Sequence, residues 1–143
     1  MKHLLLVVLL FFSTPCFAQV FKLEYRSPQM LIMVHDQNLT RFDTEFVYEN
    51  ANTTIPTSAN TKEKKISLSS EQVNEMQRLV RKSGFISLQD YYGAKEYEQF
   101  HPYTLEVNWQ KIQKKVLFRS GQIQDPRPQA FSEIESYLLA LTK

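Results

Sequence analysis

Hydrophobic and polar residues alternate over several short segments of the chain, which is the pattern of strands with one buried face. Phe21, Leu23 and Tyr25, for example, alternate with charged residues. Residues 30–34 form a continuous apolar run instead, which is typical of a more fully buried strand. The predicted strands comprise residues 21–26, 30–34, 42–48, 64–68, 103–109 and 115–119.

Two other segments place apolar residues three and four positions apart, as amphipathic helices do. The first begins after Ser69, which has capping-box spacing with Gln72, and ends before Gly84, a residue suited to the left-handed conformation after a helix. The second follows a proline-containing corner at residues 125–128. The two apolar stripes are Val73, Met76, Leu79 and Val80, and Phe131, Ile134, Leu138 and Leu141.

These elements predict an α+β fold, because one-sided strands and one-sided helices must bury their apolar faces against each other. We expect a single antiparallel sheet of about five to six strands with both helices packed on one face. Residues 49–61 and 89–102 are rich in turn-forming or irregularly placed residues and are expected to be loops. Residues 19–143 have the length of one ordinary domain.

Residues 1–18 have the order of an export leader. Lys2 gives a positive start, residues 4–12 are apolar without interruption, and small residues precede a cleavage point after Ala18. The apolar run is too short for a bilayer core, which needs about twenty residues, so we expect no stable membrane span after cleavage. The predicted location is therefore periplasmic or secreted.

The cysteine and charge content exclude several classes of function. Cys16 is the only cysteine, and it follows Pro15 rather than a small residue, a pattern that disfavours lipidation. Cleavage after Ala18 would leave a chain without disulfides, thiolate metal sites or a cysteine nucleophile. The net charge is +2, or +1 once Lys2 is removed, and charges of both signs are interspersed. This balance argues against a nucleic-acid partner.

Candidate catalytic and metal-binding residues are few. His35 and His101 are the histidines outside the leader, and neither stands in a G-x-S-x-G or H-E-x-x-H setting. We therefore assign no catalytic residue, no metal ligand and no cofactor. A small envelope hydrolase or metal-binding protein that uses His35 or His101 is the alternative from a different class.

Two pairs of carboxylates, Glu96 with Glu98 and Glu133 with Glu135, could suggest a glycosidase. That chemistry needs two carboxylates that face each other across a cleft. Two acidic residues two positions apart on one element are more typical of a solvated face, so we interpret both pairs as solvent-exposed.

Aromatic and basic residues suggest a binding surface instead. Tyrosine and phenylalanine are enriched at protein interfaces, and a basic hairpin end would attract an anionic partner. The alternatives are purely structural roles: a loop folded over the core by its own aromatic residues, and a charged edge strand that resists aggregation. The candidate surface consists of Tyr91, Tyr92, Tyr97, Phe100, Lys111, Lys114 and Lys115.

The order of elements in residues 66–141 resembles that of emfourin-like proteins and related small secreted domains. The resemblance rests on a strand that ends at Leu68, a helix that closes at residues 82–85, a hairpin led by Tyr103, and a corner with Pro126 and Pro128 before a terminal helix. Emfourins are inhibitors of thermolysin-type metallopeptidases, so the resemblance implies a protein-binding inhibitor. Its motifs are structural, and no functional residue is carried over from it.

The sequence thus predicts an exported, non-enzymatic protein that binds another protein. An inhibitor or immunity-like partner of a secreted protein, such as a peptidase, is the form that we expect. A carrier of an apolar ligand is a further alternative, which would require a cavity between the sheet and the helices.

Overall fold

The computed structural model describes residues 20–43, 46–50, 53–56, 61–93, 101–120 and 126–143. The predicted leader and its cleavage point lie outside these residues. The strands are β1 (Lys22–Ser27), β2 (Met30–His35), β3 (Asn38–Asp43), β4 (Phe46–Asn50), β5 (Thr53–Pro56), β6 (Lys62–Ser67), β7 (Tyr91–Gly93), β8 (His101–Trp109) and β9 (Ile112–Ser120). The helices are α1 (Ser70–Lys82) and α2 (Gln129–Leu141), and a short 3₁₀ turn spans Phe85–Ser87.

Seven strands form one mixed sheet in the order β6-β3-β2-β1-β8-β9-β7. The predicted α+β class with two helices is confirmed, but the predicted count of five to six strands and the purely antiparallel pairing are wrong. All neighbours are antiparallel except β7 and β9, which are parallel. The pattern missed β7, which has three residues, too few for an alternation to be recognised. The single strand predicted over residues 42–48 is also wrong, because β3 ends at Asp43 and β4, which belongs to a separate sheet, begins at Phe46.

The two segments expected to be loops contain strands. Within residues 49–61, β5 pairs with β4 as a separate two-stranded sheet. Threonines fill much of β5 and favour extended backbone, whereas the Asn and Pro around them suggested a loop. Within residues 89–102, the chain forms β7 and the start of β8, so His101 begins a strand rather than preceding one in a loop.

Helix α1 forms as its sequence predicts. The Ser69 side chain accepts a hydrogen bond from the Gln72 N–H, and the Gln72 side chain accepts one from the Ser69 N–H, which completes the capping box. Gly84 follows the helix with φ of 92°, a left-handed conformation that other residues rarely adopt. Phe85 is fully buried next to it. Because α1 lies between β6 and β7, it carries the chain from one edge of the sheet to the other.

Both helices lie on one side of the sheet, the inner face, as predicted. Helix α1 runs from the β2–β3 turn, where Gln37 donates to Ser70, to the β8–β9 turn, where the Arg81 guanidinium lies 4.2 Å from the Trp109 ring centroid. The last turn of α2 is held at the other side by Lys64 Nζ, which donates to the Thr142 carbonyl at 2.9 Å.

The space between the sheet and the helices is filled with large apolar side chains. Fully buried members from the sheet side are Phe21, Leu23, Tyr25, Ile32, Leu39 and Leu105, and those from the helices and the turn after α1 are Met76, Val80, Phe85, Phe131, Ile134 and Leu138. Burial of a side chain of this size contributes about 1.5–3 kcal/mol before conformational entropy opposes it, so docking of the helices is the main source of stability.

A search of the described part of the chain for a helix long and apolar enough to cross a membrane finds none.

Candidate functional site

The outer face of the sheet, opposite the helices, presents its side chains in rows that cross the strands. Each row takes one residue from β6, β3, β2, β1, β8 and β9, in that order, because directly paired residues point to the same side. Row 1 consists of Ser67, Asn38, His35, Lys22, Asn108 and Gln113. Row 2 consists of Lys65, Thr40, Met33, Glu24, Glu106 and Lys115.

Exposure to solvent falls steadily from row 1 to the opposite end of the outer face. All six residues of row 1 are exposed, and so are four of row 2, with Thr40 and Glu24 half-buried. The next row, which contains Phe42, Leu31 and Leu117, is mostly half-buried. The open part of the outer face is therefore rows 1 and 2.

A groove of about 260 Å³ lies in the middle of these two rows, over β2, β1 and β8. Its outward-facing side chains come in equal numbers from the two rows, and the backbones of Leu23 and Val34 lie beneath them. Met33 is the apolar residue of the groove whose side chain faces outward, and it is 39% exposed. The groove is lined by Lys22, Glu24, Met33, His35, Glu106 and Asn108.

The two carboxylates of the groove are directly opposite each other, since Glu24 pairs with Glu106 across β1 and β8. Like charges in this position destabilise a sheet unless they are compensated. Arg26 Nε donates to Glu24 Oε1 at 2.5 Å, and Lys115 Nζ lies 3.5 Å from Glu106 Oε2. Each carboxylate therefore has one basic neighbour within the sheet.

The row 1 side of the groove is different. Within the described ranges, the side chains of Lys22, His35 and Asn108 make no hydrogen bond or ion pair. Their donors and acceptors face solvent, so another molecule could use them without breaking an internal contact. In the groove, row 1 therefore presents the positive charge of Lys22, and row 2, two residues further along the strands, presents the negative charges of Glu24 and Glu106.

A buried polar network lies on the inner face, at the crossing of α2 over β1. The Tyr25 hydroxyl donates to Glu135 Oε1 at 2.5 Å, and Arg127 Nε lies 3.4 Å from Glu135 Oε2. The Arg127 guanidinium also lies 3.8 Å from the centroid of the Tyr103 ring. Tyr25 and Glu135 are 2% and 7% exposed.

The interpretation of Glu133 and Glu135 as two solvent-exposed carboxylates is wrong for Glu135. Helix α2 buries Glu135 beside Ile134 and Leu138, whereas Glu133 is half-buried and accepts a hydrogen bond from Gln129 Nε2 at 2.9 Å. The two carboxylates therefore face different surroundings and do not form a pair. Glu96 and Glu98 lie outside the described residues.

The pKa of Tyr25 is raised well above its ordinary value, mainly because burial disfavours the phenolate and also because the Glu135 carboxylate lies next to it. Tyr25 therefore stays protonated at neutral pH and acts as a hydrogen-bond donor. The hydrogen bond from Tyr25 and the ion pair with Arg127 therefore hold Glu135 of α2 against β1 of the sheet.

The predicted aromatic surface is divided by the alternation of β7. Tyr91 is paired with Leu117 on the outer face, is 39% exposed, and lies 5.3 Å from the Arg119 guanidinium. Tyr92 points to the inner side and packs against the core, and its hydroxyl accepts a hydrogen bond from the Gln89 N–H at 2.9 Å. Tyr97 and Phe100 lie outside the described residues.

The predicted basic surface is divided in the same way. Lys111 is exposed in the β8–β9 turn, and Lys115 belongs to row 2 of the outer face. Lys114 points to the inner side, where its ammonium group donates to the Leu88 carbonyl at 2.5 Å and to Asp90 Oδ1 at 2.6 Å. Of the candidate surface, Tyr91 and Lys115 share the outer face, while Lys114 ties β9 to the segment before β7.

The two histidines are far apart. His35 is in row 1, level with Asn108, whereas His101 is at the other end of β8, roughly 23 Å along the strand at about 3.3 Å per residue. Asp36 turns away from His35, and its Oδ1 accepts a hydrogen bond from the Phe21 N–H at 2.9 Å. Over the residues that the structure describes, no group of three or more His, Cys, Asp or Glu side chains could hold a metal ion.

Comparison of this chain with protein families, with curated proteins and with solved structures finds no match. The similarity to emfourin-like proteins therefore stays a prediction from the sequence.

Sequence reasoning did not identify the groove. Lys22 and Glu24, and likewise Glu106 and Asn108, were recognisable as outward-facing positions through their alternation with apolar residues. Met33 was not, because the continuous apolar run of residues 30–34 predicted a more fully buried strand, whereas Met33 is 39% exposed. Only the pairing of β1 with both β2 and β8 brings these positions into two rows.

Proposed function

We propose that this chain is an exported, non-enzymatic binding protein whose rows 1 and 2 form a protein-binding surface. The observation that carries the proposal is the groove on the helix-free face, with the exposed Met33 surrounded by charged and polar side chains. Apolar contact within a polar rim is the usual composition of a protein interface. Tyr91 and Lys115 extend the same face toward its β7 edge.

Binding through a surface is favoured over the other functions considered. A carrier would bind its ligand between the sheet and the helices, where Phe21, Tyr25 and Phe131 already occupy the interior. A hydrolase that uses His35 would need a carboxylate or a nucleophile beside it, but the strand neighbours of His35 are Lys22 and Asn38, and Asp36 accepts from the Phe21 N–H instead. Inhibition of a secreted peptidase is the form of protein binding that the resemblance in residues 66–141 implies.

We expect Met33→Asp to remove binding without unfolding the protein. The bait is the tagged protein, expressed from its full sequence, in an extract of the compartment to which its native host exports it. Wild-type bait should retain a specific protein, and Met33→Asp should retain at least about tenfold less, because a new charge at the centre of an interface is left desolvated.

The control is Asn74→Asp, which also introduces an acidic side chain, at an exposed position of α1 on the other side of the molecule. Asn74→Asp should retain as much as the wild type, and thermal unfolding should show that both variants are folded. Equal retention by Met33→Asp and the wild type would contradict the proposal.

A further inference from the structure

The side chains of rows 1 and 2 are complementary when one row is placed over the other by a two-fold rotation. Neighbouring rows on a strand are two residues, or roughly 6.8 Å, apart. Consider an axis that runs across the strands, parallel to the rows and midway between them, at the surface of the outer face. Rotation about this axis places a second copy face to face with the first, each strand over its own equivalent, with row 1 of one copy over row 2 of the other.

The side chains that this rotation brings together are complementary. At the centre, Lys22 lies over Glu24 of the second copy, and Asn108 lies over Glu106 of the second copy. On β2, His35 lies over Met33 of the second copy. The flanking pairs are Asn38 with Thr40, Ser67 with Lys65, and Gln113 with Lys115. None of the six pairs joins two like charges, and the symmetry makes each of them twice.

An axis that runs along a row is not complementary. An axis along row 2 would place Glu24 over its own equivalent and Glu106 over its own equivalent. An axis along row 1 would place Lys22 over Lys22. Like charges brought together at an interface cost several kcal/mol, which excludes an axis along either row. An axis between row 2 and the next row would join no like charges either, but that row is mostly half-buried, so charge and exposure together select the axis between rows 1 and 2.

We propose that the molecule covering rows 1 and 2 is a second copy of this chain, related by the two-fold axis between these rows. The inference rests on the proposed function, since it names the occupant of the same surface. Lys22 and Asn108 have no internal partner to give up within the described part of the chain. Glu24 keeps the bond from Arg26 and still has carboxylate lone pairs that can accept from Lys22 of the second copy.

The size of the surface indicates a reversible dimer. Six strands spaced about 4.8 Å apart, covered over about five residues along each strand, give an interface on the order of 1,000 Å² in total. This is near the lower limit for specific interfaces, so the dimer should dissociate on dilution.

The test is the association state of the wild type and of charge-reversal variants, measured by sedimentation from about 1 µM to about 1 mM, a range that covers weak interfaces. The wild type should show a concentration-dependent dimer. Lys22→Glu alone places acidic groups over Glu24 of the second copy, and Glu24→Lys alone places basic groups over Lys22. Each should weaken the dimer at least about tenfold.

Mixing the two variants is the decisive step. In the mixed pair, the two acidic positions of one copy lie over the two basic positions of the other. A heterodimer should therefore form more tightly than either variant dimerises alone. The double variant Lys22→Glu/Glu24→Lys should dimerise by itself for the same reason. If Glu24→Lys fails to fold after losing its bond with Arg26, Lys22→Glu, which leaves that bond intact, still tests the interface against the wild type.

Lys82→Glu is the control, because it reverses the same charge at an exposed position at the end of α1, and it should leave the dimer unchanged. A wild type that is monomeric at every concentration would overturn the inference, and so would a dimer that Lys22→Glu leaves intact. If the wild type is monomeric but Met33→Asp still abolishes capture of a different protein, the inference fails and the proposed function stands.

Discussion

Replacing Glu135 by alanine is expected to lower the free energy of unfolding by about 3–5 kcal/mol. The carboxylate accepts the Tyr25 hydroxyl and lies beside the Arg127 guanidinium at a site that is 7% exposed. Its removal leaves a buried hydroxyl without its acceptor and a largely buried positive charge without its counter-ion. Urea unfolding, followed by circular dichroism, measures the change.

The matched control for this prediction is Glu133→Ala. It removes the same side chain two residues earlier on α2, where the carboxylate accepts a single hydrogen bond from Gln129. We expect this change to cost within about 0.5 kcal/mol. If Glu135→Ala and Glu133→Ala have equal effects, the network does not fasten α2 to the sheet.

Stability is expected to fall steeply in alkaline solution because of Tyr25. Its pKa is raised in the folded protein, so above pH 10 the unfolded chain releases this proton while the folded chain keeps it. A group whose pKa is higher in the folded than in the unfolded state contributes fully to the free energy of unfolding below its unfolded-state pKa. This contribution is lost as the pH rises toward the folded-state pKa. The loss from this one group approaches about 1.4 kcal/mol per pH unit above pH 10.

Tyr25→Phe separates this effect from the other groups that titrate in the same range, including Tyr137, whose pKa burial also raises. The variant is less stable than the wild type at pH 8, because Glu135 loses a donor, but its stability should decline less between pH 10 and pH 12. Parallel declines of the two proteins, measured by urea unfolding at each pH, would contradict the role assigned to Tyr25.

The sequence predicted the elements whose causes are local. Helix α1 was predicted from its capping residues to its final glycine, because a capping box, an apolar stripe and a left-handed stop all act within one stretch of chain. The apolar stripe of α2 was predicted for the same reason. Because the strands and the helices each have one apolar face to bury, an α+β fold was the expected arrangement.

The elements that the sequence missed depend on distant partners. The three-residue strand β7 exists because β9 offers it a parallel edge, and nothing in its own pattern indicates that edge. Glu135 is buried because Tyr25 and Arg127 meet it there, while the sequence shows only an acidic residue on a helix.

The candidate site shows the same limit. Alternation identified the outward positions of β1, β8 and β9, but a row is a property of the register between strands that are far apart in the chain. Glu24 meets Glu106 only because β1 is paired with β8. The predicted surface was divided between two faces because neighbouring strand residues point in opposite directions. Tyr91 and Lys115 lie on the outer face, whereas Tyr92 and Lys114 point to the inner side.

The most direct test of the outer face as an interface is the oxidation of two methionines in one molecule. Met33 is 39% exposed in the groove and Met76 is fully buried, so dilute hydrogen peroxide should oxidise Met33 much faster in dilute purified protein. In the concentrated native extract, where the surface is occupied, oxidation of Met33 should slow at least about tenfold while Met76 stays protected. Oxidation of Met33 at the same rate in both conditions would contradict the account.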